Sequence, residues 1–342
     1  MTEQAETSSE INDARIAFLL QLRKRQNRAP SLTIAKETTK FLRKLIELHK
    51  GNCIKSLISE ILDEGRKLSA SEAYEPIIRN VVLMVSKMAR DEAMRIRNEP
   101  ISPYESLNTL WLDSMHSDEN KANYKEVKKN LKALTKELDR EMSICRPNIA
   151  EHAPTIIRLY DTVLVHSLDQ SDTLKEFIHK AQETAKFSVI TVTSRLNSNY
   201  PSYANPIELR EVASKMPEVT KIVLPCVAIF PDGSCLLPSG CLSICLAAKR
   251  HSVPVYIVAA NYKLTPIFVS DVSPMILLKK PSIPFKQAAE FNGSCQILEP
   301  AYELVQADLV SGYALNTAVV IPSHISRLKE DYYHALDLLE YS

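Results

Sequence analysis

Three cysteines stand close together in this sequence, Cys235, Cys241 and Cys245, and the last two are four residues apart. On a helix that spacing puts both thiols on one face, which is half of what a tetrahedral metal site requires. A zinc site needs four ligands in a deprotonating environment, and no matching pair or C-x-x-C occurs elsewhere among the seven cysteines. Buried, reduced thiols are the expected state, and no metal site is expected. Two serines sit where α/β sheets present ligand-binding groups, Ser167 beside His166 and Ser194 beside Arg195, each closing a short β-branched run. Neither lies in a G-x-S-x-G turn, and neighbours along a strand point to opposite faces, so no hydrolytic triad is expected on them. His251 follows Lys249-Arg250 and reads as a helix end, where an imidazolium suits the dipole.

Glycine is scarce, with six in all, at 51, 65, 233, 240, 293 and 312. None forms a G-x-G-x-x-G or a G-x-x-x-x-G-K-[ST] pattern, so the backbone offers no cradle for a dinucleotide or a triphosphate. No cofactor is expected, and any role with nucleotides would be exercised on a partner's nucleotide. The lysines of 121–136 resemble a basic patch, yet Glu126, Glu137, Asp139 and Glu141 interleave with or follow them, and Tyr124 is the one aromatic nearby. That pattern favours a solvated or protein-binding helix face over an RNA surface.

The elements that would position these residues fall into two textures. Residues 11–25, 33–49, 53–68, 75–97 and 120–144 carry apolar residues at helical spacing, with Ser31 or Thr33 as a candidate cap and Arg146-Pro147 as the expected end of the last helix. Residues 100–118 interrupt the pattern and read as a loop. Beyond about 155, β-branched runs at 162–167, 187–194, 221–230 and 253–260 alternate with helical stretches, the order of a mainly parallel sheet with crossover helices. The fold class expected is α/β, an N-terminal helical domain over 1–147, its first ten residues or so unordered, followed by a Rossmann-like domain over 148–342. A net charge of +1 excludes a global field for nucleic acid. With no signal-like start and no apolar run long enough to span a bilayer, a cytosolic protein without membrane contact is expected.

The run VTKIVLPCVAIFPDGSCLLPSGCLSICLAAKRHSVPVYIVAANYKL carries a resemblance. Its strand, the Asp232-Gly233 turn, Gly240 before a helix, Ala247 to Lys249, the Val253-Pro254 strand and Tyr262-Lys263 are similar to the alpha, beta and delta regulatory subunits of initiation factor 2B and their sugar-phosphate isomerase relatives. AKETTKFLRKLIELHK, SLISEILDEGRKLSA, the Asn148-Ile149-Ala150 helix start and SHISRLKEDYYHALDL resemble the beta-type branch. The resemblance covers most of the chain from about residue 15. It departs from the pattern between Ser194 and Val219, which is shorter than expected, as if a helix–strand unit had been trimmed.

The resemblance implies a regulatory subunit of the guanine nucleotide exchange complex for translation initiation factor 2. Its partners would be alpha, gamma, delta and epsilon subunits, with gamma and epsilon catalysing GDP release, and the alpha subunit of initiation factor 2 held by the helical domains. Asparagine and glutamate contacts to that subunit match Asn130 and Glu137, two helical turns apart. The cysteine and aspartate that do chemistry in the isomerase relatives match Ser167 and Val227. Valine can neither give nor take a proton, so the resemblance implies a non-enzyme that helps sense phosphorylation of its substrate; the alternative is a ribose- or methylthioribose-phosphate isomerase with altered catalytic residues.

Overall fold

The computed structural model describes residues 2–23, 30–51, 53–72, 74–96, 121–193, 201–268, 277–279 and 298–341. Residues 100–118 and the Ser194-Arg195 pair lie outside them. The longer helices among the described residues are α1 (Thr2–Arg23), α2 (Ser31–Leu48), α3 (Ile54–Ser71), α4 (Pro76–Ile96), α5 (Lys121–Ala150), α6 (Asp172–Thr184), α7 (Cys241–His251), α8 (Ile325–Tyr332) and α9 (Ala335–Tyr341). The chain divides into two compact units. The first holds Met1–Arg146, Ala260–Phe268 and His324–Ser342, and the second holds Pro147–Ala259 and Val269–Ser323. The cut at 146/147 falls inside α5, and both 260–268 and the C-terminal residues join the helices rather than the sheet.

In the first unit, α4 is the central element. Ile77, Ile78, Val81, Val82, Leu83, Met84 and Val85 are all buried, which leaves it apolar nearly all round. α2 and α3 each bury a single stripe, Phe41, Leu42, Leu45 and Ile46 on one and Leu57, Ile58, Ile61 and Leu62 on the other. Each such side chain contributes roughly 1.5–3 kcal/mol through its burial. Gly65 allows α3 to lie close against α4: a Cβ there would meet Val82 Cγ1 at 2.4 Å. The C-terminal segment closes the unit through Arg90, which donates from Nε to the fully buried Asp337 at 2.6 Å.

Several sequence expectations change here. α1 begins at Thr2, so the start that was expected to be unordered is helical. Pro30 takes the N-cap of α2, with Ser31 in its first turn and no side-chain cap. α5 does not stop at Arg146-Pro147 but runs on to Ala150 with Pro147 inside it. Proline cannot donate its own helical hydrogen bond, yet its carbonyl still accepts from Glu151 N at 3.0 Å. Asn148, Ile149 and Ala150 therefore end a helix rather than begin one.

The second unit is built on a seven-stranded sheet with the order β12-β11-β7-β4-β1-β2-β3. Its strands are β1 (Thr162–His166), β2 (Ser188–Thr193), β3 (Ala204–Glu208), β4 (Lys221–Pro225), β7 (Val255–Val258), β11 (Gly312–Ala314) and β12 (Val319–Val320). All pairs are parallel except β11 with β12. β1, β2 and β4 are buried along nearly their whole length, as parallel strands covered on both faces must be. The run 221–230 reads as one strand in sequence and is two. β4 ends at Pro225, and β5 (Ala228–Ile229) turns away into an antiparallel sheet with β6 (Cys235–Pro238) and β10 (Tyr302–Val305). The short strands β8 (Leu278–Lys279) and β9 (Glu299–Pro300) form a separate antiparallel pair. Val227 N donates to Leu236 O at 2.9 Å, which starts the β5–β6 hairpin and breaks the run.

Candidate functional site

At the carboxyl end of β1 the backbone turns sharply, and Ser167 has φ 54°. That left-handed conformation is uncommon outside glycine. It folds the hydroxyl back onto its neighbour, so that Ser167 Oγ lies 2.7 Å from His166 Nδ1. Both residues are buried. Burial pushes His166 down to about 4, against the opposing pull of Asp169 and Glu303, so near pH 7 its imidazole is neutral. Gly240, at φ 96°, closes the other side: a Cβ there would sit 3.2 Å from Leu209 and 3.4 Å from His166 Nε2.

Gly240 is also the N-cap of α7 and brings no side chain to it. The vacancy is filled from far along the chain. Glu303 on β10 accepts from Ser239 Oγ at 3.0 Å and from Leu242 N at 3.1 Å. A helix start is where α/β proteins seat anionic groups of their ligands, and here a carboxylate of the same chain takes that place. Val227 is packed with an apolar cluster of Ala228, Phe230, Leu236, Tyr302 and Leu304. Of the two positions matched to isomerase chemistry, one is a serine tied to a neutral histidine and the other is part of an apolar cluster. Nothing in the sequence near His166 or Gly240 signals Glu303, which lies 61 residues beyond Leu242.

The cysteines belong to the core. Cys235, Cys241 and Cys245 are buried, and desolvation raises all three thiols, Cys245 to about 12. Among the described residues no three metal-type side chains gather into a site. No helix among them is long and apolar enough to cross a membrane.

The second candidate surface is the outer face of α5. Asn130 is half-buried, and its amide donates to Glu92 Oε1 at 2.7 Å. Arg95 donates to both oxygens of the same carboxylate, at 2.9 and 2.7 Å. Arg95 first, then the Asn130 amide, lowers Glu92 against the raising effect of burial. Glu137 lies exposed two turns on, between Lys136 and the half-buried Leu134 side of the helix on one hand and Glu141 on the other. Burial raises Glu141, and the Glu137 charge adds to that. Thus Asn130 is held in an α4–α5 network while Glu137 faces solvent. The lysines of this helix are partly committed too: Lys128 donates to His49 O at 2.5 Å, and Lys132 pairs with Glu47 at 3.7 Å.

Comparison with known proteins bears on both surfaces. Residues 209–320 match the model of the initiation factor 2 subunit family. The chain is 26% identical to translation initiation factor eIF2B subunit beta of Dictyostelium discoideum, across 95% of this chain and 96% of that one. It is 27% identical to the Schizosaccharomyces pombe beta subunit across 53% of this chain and 49% of that one. In structure it superposes on eIF2B beta from Chaetomium thermophilum with a TM-score of 0.71 at 20% identity, covering 97% of each chain. It also superposes on a chain of the tetrameric eIF2B-beta2-delta2 complex from that organism, with a TM-score of 0.69 at 19% identity over 97% of this chain and 99% of that one. Helices followed by a mainly parallel sheet are the fold these structures share with it. Residues 209–320 thus resemble the initiation factor 2 subunit family, and over nearly its whole length the chain is similar to a beta subunit of initiation factor 2B.

Proposed function

We propose that this chain works as a beta-type regulatory subunit of the cytosolic guanine nucleotide exchange factor for translation initiation factor 2. In this role it catalyses neither exchange nor sugar-phosphate isomerisation. Its alpha, delta, gamma and epsilon partners supply the rest of the complex, and the exposed face of α5 helps receive the alpha subunit of initiation factor 2 and register its phosphorylation. The observation that carries the reading is the alignment with a beta subunit over nearly the whole of both chains. A delta-type subunit is the first partner to expect, since one of the matched structures is a beta2-delta2 tetramer.

The strand-end site supports the non-catalytic part. Proton transfer at a sugar carbon needs an acid or base within hydrogen-bond reach, and Val227 offers neither. Phosphate binding at α7 would have to displace Glu303 from Ser239 and Leu242. The isomerase alternative therefore lacks a proton carrier at the position matched to the aspartate, and its anion seat is taken. Co-expression of the full chain with delta, gamma and epsilon subunits tests the reading. Recovery of one complex that accelerates GDP release from initiation factor 2 is expected, and a chain that purifies as a lone monomer beside all three would overturn it.

A further inference from the structure

A cavity of about 440 Å³ opens in the first unit, walled by residues of α1, of α3 and of the turn that follows α2. Its wall carries a hydrogen-bonded series that neither exchange nor isomerisation uses. His49 follows the last residue of α2, and α3 presents Ser56 and Glu60 one turn apart. Ser56 Oγ lies 3.1 Å from His49 Nε2, and His49 Nδ1 is hydrogen-bonded to Glu60 Oε2. A carboxylate at Nδ1 fixes the tautomer that carries its proton there and leaves the Nε2 lone pair to accept from the serine hydroxyl. Nucleophile, base and carboxylate thus stand in the order, and on the ring nitrogens, that serine hydrolases use on unrelated folds.

The imidazole is held on several sides. Tyr124 packs with its ring centroid 6.0 Å from that of His49. Lys128 fixes the His49 carbonyl, donating to it at 2.5 Å. A Cβ on Gly51 would fall 2.2 Å from His49 Nε2 and 2.5 Å from Ser56 Oγ, so only glycine lets the two meet. His49 is buried while Ser56 is exposed to the cavity, as a base and its nucleophile need to be. Cys53 caps α3 with no side-chain hydrogen bond. The first-turn N–H groups have no carbonyl ahead of them in the helix and stand at its positive end, where an oxyanion formed at Ser56 would gather charge. Elsewhere on the wall the charges are compensated, Asp63 by Arg66 and Glu64 by Arg15 and Lys67.

The geometry points to a second site of hydrolytic type, in which Ser56, His49 and Glu60 cleave small, uncharged carboxylic esters. Ser56 Oγ attacks the ester carbonyl carbon while its proton passes to His49 Nε2. The tetrahedral oxyanion collapses, the C–O bond to the alcohol breaks, and His49 returns the proton to the departing alkoxide. Water then attacks the acyl-Ser56 ester, giving its proton to His49. The acid leaves, and the serine oxygen recovers that proton. The site is independent of the exchange-factor reading, which uses neither Ser56 nor Glu60.

The test uses the purified full chain with a fluorophosphonate probe and with para-nitrophenyl acetate. A phosphonyl adduct mapped by mass spectrometry to Ser56 is expected, with nitrophenol release continuing past one equivalent. Ser56→Ala, at an exposed position, removes the nucleophile and should abolish labelling and enzymic nitrophenol release, with an unchanged circular dichroism spectrum. Glu60→Gln should slow both labelling and turnover with Ser56 still in place. An unlabelled Ser56, or nitrophenol release that survives Ser56→Ala, would overturn the site and leave the series as a clasp on the turn between α2 and α3.

Discussion

Glu303 lies across two structures at once: it belongs to β10 and caps α7, replacing the side chain that Gly240 lacks. A carboxylate that accepts from a helix N-terminus is worth about 1 kcal/mol or somewhat more. Glu303→Gln should therefore lower the stability of the sheet unit by about 1 kcal/mol in urea unfolding, with secondary structure retained. His166 gives a sharper test. Its folded value near 4 lies below the usual 6.5, so between those two pH values the unfolded chain binds a proton that the folded one refuses. Stability should be level above pH 6.5 and fall as the pH drops towards 4, by roughly 3 kcal/mol at most for a shift of that size. Replacing His166 with Gln should flatten that part of the curve, which pH-resolved denaturation would record. His166 and Ser167 were legible in sequence because a β-branched run ended on them. Glu303 was not, since a cap supplied from a distant strand leaves no local pattern around either residue.

Helices were the most readable elements, because a buried stripe recurs every three or four residues whatever the partner is. What the stripe omits is how closely two helices meet. Gly65 reads as an ordinary interruption of α3, yet it is the point where Val82 of α4 comes within the reach of a methyl group. Gly65→Val should force the helices apart and cost about 3 kcal/mol, the upper part of the range for overpacking, seen as a lowered melting temperature. Proline misled in the opposite direction. Pro147 removes one hydrogen bond from α5 without ending it, and its own carbonyl still accepts from Glu151 N. The run 221–230 misled for a similar reason. Its apolar residues satisfy two different sheets, and the change of partner at Val227 is set by the hairpin beyond it. Asn130 and Glu137 were matched through the family resemblance, which says nothing of what each side chain meets within the fold. Their roles separate because α4 supplies Glu92 to one and nothing described to the other.

For the molecule as a whole, the C-terminal segment matters more than its length suggests. Asp337 is fully buried against Arg90, and removing one partner of a buried pair strands the other, at about 3–5 kcal/mol. Asp337→Ala should therefore destabilise the helical unit by that amount, and hydrogen exchange should locate the loss in α3 and α4. Glu137→Lys belongs to the same scale but should behave otherwise. It reverses an exposed charge, so the fold and the assembled complex should persist while exchange on initiation factor 2 slows several-fold. Unchanged exchange kinetics with purified complex would remove α5 from the substrate-binding surface.

The helical unit is assembled from both ends of the chain and a short stretch near residue 264, with the sheet unit threaded between them. On a ribosome this sets an order of events. Residues 1–146 are made well before His324–Ser342 and must wait for that segment before Arg90 meets Asp337 and the unit closes. The sheet unit, made of residues synthesised earlier, can be complete while the faces of α3 and α4 that α9 covers are still open. A nascent chain of this kind has a long interval in which those faces are open to a chaperone or to a sister subunit being made nearby, and a premature stop anywhere before Asp337 would leave that interval without an end.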